Sequence, residues 1–348
     1  MVANKTIIKT LTALAVCASL QALAQQPAAP VVLVKPVPQS QEGLFMPGFG
    51  NEGVITARYT VKADGSTADI EILGGFTNPF YDNAIKEAIA TWKFTPGTVD
   101  GEARDFFNQE QTFSRRVSEQ LAISEAVQKE IEPIRVAINA KDYATARDTI
   151  NRLLASEVHS VLDYALMNDM LATVELGLDD PFAALEANKR ATQSAVNMEG
   201  VRQYMLTPEL LQSSLKRQLV LAATVRQQGE VLRTWQELDA LFDLPADDPV
   251  MQWVDTARQQ VAAPDQLTQL GKIVADKHFV HVPSHRIFTV ADVREGSLDK
   301  VVAHCERRTL ELDYQEGVDW TLPAGFGDCK LDIQGDIGTL FTVYEFAQ

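Results

Sequence analysis

Three of the five histidines fall within eight residues, at His278, His281 and His285. Imidazoles at such density can hold a transition metal if they converge on one point. Alternation along a strand puts His281 and His285 on one face and His278 on the other, and Pro283 bars a helix that would regroup them. Two readings stay open, a metal site and histidines that line a surface or loop. Ser284-His285 sets a hydroxyl beside an imidazole, yet acyl transfer also needs an orienting carboxylate and oxyanion donors. The chain has no Gly-x-Ser-x-Gly elbow, no His-Glu-x-x-His, no P-loop, and no Gly-x-Gly-x-x-Gly that opens a helix. Asp179-Asp180 and Asp247-Asp248 each precede proline, where carboxylates start helices. The sequence therefore predicts a protein that is not an enzyme and carries no cofactor.

The elements that position these residues begin with an export leader. Lys5 and Lys9 precede an apolar run over residues 11–18, and Ala22-Leu23-Ala24 places small residues where a signal peptidase cuts. Residues 1–24 read as a signal peptide cleaved between Ala24 and Gln25. A retained anchor is the alternative, although the run falls short of the about 20 apolar residues of a membrane span. Export removes Cys17 and leaves Cys305 and Cys329 in an oxidising space, so these two are expected to form a disulfide. Closing a loop of about two dozen residues contributes roughly 3 kcal/mol. The formal charge is −16, and loss of the leader lysines makes the mature chain more acidic still. Such a chain repels nucleic acid and anionic headgroups, which drop out as partners.

Composition divides the remainder. Residues 25–45 hold Pro27, Pro30, Pro36 and Pro38 and read as an extended linker without a core. Residues 46–116 mix strands with one helix. Residues 117–265 turn helical, with pairs at 131–140 and 141–154, 161–176 and 182–194, and 208–227 and 230–242. Asp248 and Pro249 open a last helix. Residues 266–348 shift to short β-branched runs between glycine turns, which predicts a small antiparallel β domain stapled by the cysteine pair. The fold class is multidomain α+β.

Within 46–116 the order of signals is specific. A β-branched run over 54–61 meets Asp64-Gly65, which supplies the positive φ of a tight hairpin, and 67–73 returns. Phe80, Ala84 and Ala88 with Ile85 and Ile89 form a helical stripe. Trp92-Lys93-Phe94-Thr95-Pro96 ends that helix before a last strand from Phe106 to Phe113. This order resembles the C-terminal domain of the TonB family, the periplasmic end of the energy transducer of Gram-negative bacteria. The resemblance implies a β-β-α-β domain that binds protein segments without catalysis, with Trp92 in its core. It also implies an open edge strand that accepts a partner's extended peptide, which singles out Phe107, Asn108, Gln109, Glu110, Gln111, Thr112 and Phe113. The polar run Asn108 to Gln111 would equally guard a free edge against aggregation. The helix pairs are loosely similar to tetratricopeptide repeats, with Tyr143, Ala146, Ala183 and Ala184 at the aromatic and small positions. That similarity implies an α-solenoid with a concave binding face, an ordinary helical bundle being the other reading.

The expected function is a non-catalytic periplasmic scaffold that binds envelope proteins through the TonB-like domain and the helix pairs. One alternative is a TonB-type transducer coupling the inner membrane to an outer-membrane receptor. The proline-rich stretch weighs against it, spanning at most about 80 Å when fully stretched. The other alternative is an envelope metal-binding protein or enzyme built on His278, His281 and His285.

Overall fold

The structure is a computed structural model that describes residues 32–40, 52–76, 79–115, 122–156, 160–197, 201–263, 265–274 and 277–347. The expected leader, with its Ala24–Gln25 cleavage point, lies outside these residues. The described part of the proline-rich stretch corrects the expectation of an unpaired linker. Strands β1 (Leu33–Val34) and β2 (Val37–Ser40) both pair with chain more than fifty residues downstream. Their Leu and Val side chains favour extension, and Pro38 is tolerated because β2 is paired on one side only.

β3 (Gly53–Val61) and β4 (Thr67–Phe76) form the expected hairpin. Gly65 turns it at φ +81°, its N–H donating to the Lys62 carbonyl at 2.9 Å. The Asp64 carboxylate accepts from the Ser66 N–H at 2.8 Å and its hydroxyl at 2.6 Å. Helix α1 (Pro79–Thr91) lays Ile85, Ala88 and Ile89 over Ile55, Ala57, Tyr59 and Val61, the alternate residues of β3. Trp92 is fully buried where the helix ends, with its ring 5.8 Å from Tyr59 and 5.4 Å from Phe113. Such aromatic pairs each contribute about 1 kcal/mol beyond the area they bury. The chain continues through β5 (Lys93–Thr95), β6 (Thr98–Val99) and β7 (Glu102–Ala103) into β8 (Phe106–Arg115), which pairs antiparallel with β3. β5 takes β2 as its partner, and β6 takes β1.

Among the described residues seven helices follow, each packed on its chain neighbour. They are α2 (Glu125–Asn139), α3 (Tyr143–Ser156), α4 (Val161–Gly177), α5 (Pro181–Thr192), α6 (Pro208–Thr224), α7 (Gln228–Leu241) and α8 (Met251–Ala262). Asp180 caps α5 as the Asp-Pro signal predicts, accepting from the Ala183 N–H at 3.0 Å. Asp248 does not cap α8. Its carboxylate accepts from the Val250 N–H at 3.1 Å, and the helix begins at Met251. A small hairpin interrupts the helices: β9 (Ser194–Val196) and β10 (Arg202–Tyr204) extend the first sheet, giving the order β10-β9-β8-β3-β4. Further contacts fix this sheet to the helices. Phe76 stacks on Tyr164 at 5.8 Å, and Glu52 accepts the Val161 N–H at the start of α4 at 2.8 Å.

The last part is an antiparallel sandwich, as the strand and turn spacing predicts. Its strands are β11 (Leu267–Lys272), β12 (His278–His281), β13 (Ile287–Arg294), β14 (Leu298–Cys305), β15 (Arg308–Leu312), β16 (Asp319–Thr321), β17 (Cys329–Gly335) and β18 (Leu340–Phe346). They form two sheets, ordered β11-β18-β13-β16 and β12-β17-β14-β15, over a core that includes Phe288, Phe341, Leu331 and Ile333. Cys305 and Cys329 face each other in the β14–β17 register and are joined as a disulfide.

The Asp-Gly turn and the Trp-x-Phe-x-Pro exit touch. Phe94 N–H donates to the Gly65 carbonyl at 2.9 Å, and a Cβ on Gly65 would lie 2.1 Å from the Phe94 carbonyl oxygen. Gly65→Ala is expected to cost about 2 kcal/mol or more, combining left-handed strain with a backbone clash. Gly101→Ala, at φ +82° with open space around it, costs about 1 kcal/mol from strain alone. Thermal unfolding of the two variants, followed by circular dichroism, reads the difference. Equal melting temperatures would refute the Gly65–Phe94 constraint.

Candidate functional site: the acceptor strand and the cleft beside it

A strand has two hydrogen-bonding sides, and on β8 one of them is spent on β3 from Gly53–Arg115 to Val61–Phe106. The other side was expected to be open. It is closed at both ends by the same chain. Phe107 N–H donates to the Glu306 carbonyl at 2.6 Å, and the Asn108 side-chain amide Nδ2 donates to the Cys305 carbonyl at 2.8 Å. Asn108 reaches this partner from a left-handed backbone at φ 53°, which asparagine tolerates better than most residues. At the far end Phe113 bridges Val196 of β9 in parallel register. The Gln193 amide donates to the hydroxyls of Thr56 and Thr112 at 3.0 Å each.

Between these points Glu110 is held by Arg58 at 2.9 Å and by Lys330. Gln109 donates to its own Phe107 carbonyl, and Gln111 accepts the Tyr59 hydroxyl. Of the expected acceptor residues Phe107, Asn108, Gln109, Glu110, Gln111, Thr112 and Phe113, the second main-chain side is taken at Phe107 and Phe113, and side chains between them are engaged within the chain. The polar run that looked like edge protection matches polar groups of the sandwich. The terminal strands of this sheet are the short β10 and β4, the latter broken by a left-handed Asp69 and by register shifts opposite β3.

The seam between β8 and the sandwich is a line of charge. Burial would push the Glu110 carboxyl up, but Lys330 and Arg58 outweigh it and hold it below the ordinary carboxylate value. Asp332 lies next in this line, with His278 Nδ1 at 2.8 Å and His304 Nε2 at 3.9 Å. Burial opposes its charge as well, yet hydrogen bonds from His304, His278 and Gln334 bring it down to about 2.

The three clustered histidines do not meet. His278 faces Asp332 across the β12–β17 pair, whereas His281 points into the sandwich and binds Glu345 Oε1 at 2.7 Å. His285 contributes its backbone N–H to Glu345 Oε2 at 2.7 Å. Among the described residues no group of three His, Cys, Asp or Glu side chains is placed to hold a metal. The sequence reading passed over Glu345. It is fully buried and also collects the Ser284 N–H at 2.6 Å and the Gln269 amide. Its only signal was a lone acid in an otherwise apolar last strand.

A cavity of about 510 Å³ opens where α5 and α7 face β11, β12 and β17. Lys189, Arg190, Arg233, Lys272 and Lys330 line it, together with Glu186 and Glu230 and an apolar wall that includes Phe279 and Val280. Burial opposes the Glu230 charge, but Lys189 and Arg233 bring its carboxyl down to about 2. The cations are scattered over more than 140 positions of sequence, so no local pattern announced them.

Residues 49–112 match the family described as the Gram-negative bacterial TonB protein C-terminal. Among solved structures, the chain is similar to the solution structure of the Pseudomonas aeruginosa TonB C-terminal domain. The two are 23% identical over 24% of this chain and 89% of that one, with a TM-score of 0.20. No curated protein matches the chain. A TonB-family C-terminal domain is thus present near the start of a longer polypeptide.

Two measurements test this geometry. Glu110 and Asp332 have folded values below their unfolded ones, so their stabilisation is complete above about pH 4 to 5 and is lost as pH falls from there towards 2. Hydrogen-exchange protection of β8, corrected for intrinsic rates, should drop between pH 5 and pH 3 more than that of α6. Uniform loss would count against a charged seam. Separately, Glu345→Ala leaves His281 and two backbone N–H groups without their acceptor and should cost about 3 kcal/mol in chemical denaturation. A neutral result would remove Glu345 as the organiser of that turn.

Proposed function

We propose that this chain is a non-catalytic scaffold of the cell envelope, exported to the periplasm, that binds partner proteins. In it the TonB-type domain of residues 49–112 serves as one wall of a larger binding body. The observation that carries this reading is the closed acceptor strand. An energy transducer has to present that strand to a receptor segment, whereas here Phe107, Asn108 and Phe113 are already paired within the chain. The proline-rich residues 32–40 argue in the same direction, because they lie paired along the domain instead of serving as a free spacer. The stacked helices α2–α8 supply the remaining surface, as tetratricopeptide-like pairs do. Among the described residues no helix is long and apolar enough to cross a membrane.

The test uses the full chain with a C-terminal affinity tag, expressed in a Gram-negative host and recovered after osmotic shock. Mass spectrometry should find a mature start at Gln25, and crosslinking before capture should recover envelope proteins that a tag-only control does not. A retained Met1 together with membrane fractionation would overturn the exported-scaffold reading and restore the anchored transducer. Specific capture of nothing by the mature chain would remove the scaffold role.

A further inference from the structure

A separate cavity of about 500 Å³ lies between the turn that joins α6 to α7, helix α8 and strand β11. The turn is fixed on both sides. Gln227 N–H donates to the Ala222 carbonyl at 2.8 Å and Arg226 N–H to the Ala223 carbonyl at 3.1 Å, which closes α6. Leu270 N–H of β11 donates to the Val225 carbonyl at 3.3 Å. The closing residue of such a helix end takes a left-handed backbone and is usually glycine. Here it is Arg226, at φ 59°, so the position keeps a long cation despite backbone strain. Arg226 is exposed, lines the cavity and makes no ion pair among the described residues.

Gln228 opens α7 beside this turn and is only 5% exposed. It lines the cavity, and its side-chain amide makes no hydrogen bond among the described residues. A buried amide without a protein partner is costly unless something in the adjoining space completes it. α8 presents a further side. Trp253, Thr256 and Gln260 recur at helical spacing and so share one face, which borders the cavity. Val254 and Ala257, on the neighbouring face, are fully buried, whereas Trp253 remains 36% exposed. β11 adds Thr268. No aspartate or glutamate lines the space, in a chain with 47 acids against 31 lysines and arginines.

These groups select a ligand by their chemistry. Amides and hydroxyls donate and accept alike, as the hydroxyls of a sugar do. An exposed indole matches the C–H face of a pyranose ring, and a guanidinium fork matches a carboxylate. With no acid in the lining, a ligand that carries an ammonium group finds no counter-charge. We infer that the cavity between the α6–α7 turn, α8 and β11 binds a hexose ring bearing one carboxylate, with Trp253 under the ring, Gln228 and Gln260 on its hydroxyls and Arg226 on the carboxylate. The site is separate from the protein-binding role proposed above and does not rest on it. A free sugar acid and an acidic glycan chain present the same ring, and the test separates them.

Isothermal titration calorimetry of the full chain tests the site with D-glucuronate, glucose, acetate, glucose 6-phosphate and a glucuronate-containing tetrasaccharide. Glucuronate should bind about tenfold or more tightly than glucose or acetate. Arg226→Gly relieves the left-handed strain and Gln228→Leu removes an unpartnered buried amide, so both should keep the wild-type melting temperature yet lose about tenfold in affinity. Trp253→Ala should lose a similar factor. Arg258→Gln, on α8 but outside the lining, should change nothing. Tighter binding of the tetrasaccharide than of glucuronate identifies a glycan chain as the occupant, and equal affinity identifies a free sugar acid; either result supports the site. The inference falls if glucuronate does not bind, if acetate or glucose binds equally well, or if glucose 6-phosphate binds more tightly. It also falls if Arg226→Gly and Gln228→Leu bind as the wild type does, because the cavity then holds water alone. Capture of partner proteins is a separate readout, so any of these failures leaves the scaffold reading standing.

Discussion

Everything in this molecule is arranged around the two hydrogen-bonding sides of one strand. β8 gives one side to β3 and completes the TonB-type sheet. On the other it meets the sandwich at Phe107 and the helical part at Phe113. Unpaired main-chain groups on a free edge invite association with other chains. Here the need to satisfy them also positions three structurally different parts. The side chains follow suit: Glu110 reaches Arg58 on its own sheet and Lys330 on the sandwich, so one carboxylate spans the junction.

Much of the first domain was legible in the sequence because its signals are local. Asp64-Gly65 requires a tight turn, and Ile85, Ala88 and Ile89 recur at helical spacing. Trp92 is too large and apolar to remain outside. The helix pairs were readable for the same reason, down to Asp180 as a cap. The disulfide followed from compartment and parity, and register made it possible by placing Cys305 opposite Cys329.

What stayed hidden was every relation between distant segments. Asn108 and Cys305 are separated by 197 positions, and nothing in either neighbourhood indicates that they bond. The same polar run, Asn108 to Gln111, reads as edge protection when considered alone and as a docking surface once Lys330 and His304 face it. The histidines illustrate the converse. They are close in sequence, but Asp332 and Glu345 draw them to separate places. One partly buried and one fully buried carboxylate thus decided where these side chains went, and a lone Glu345 gives little warning of that. The proline-rich stretch was misread because its composition fits an extended chain, and an extended chain is also what a strand requires.

The β8 arrangement also sets an order in time. Ribosomes deliver the N-terminal part first, and domains generally fold as units as they appear. The buried residues of the core formed by the hairpin, α1 and Trp92 run from Ile55 to Phe113, so that core can form early. The second side of β8 must wait for Val196, and then for Cys305 and Glu306 close to the end of the chain. Closing contacts over such separations is slow. For that interval the second side of β8 is unfilled, and only the arrival of β9 and then of the sandwich ends that state. The C-terminal sandwich therefore acts on its own N-terminal domain much as a dedicated folding partner would, with the difference that it is covalently attached and never leaves.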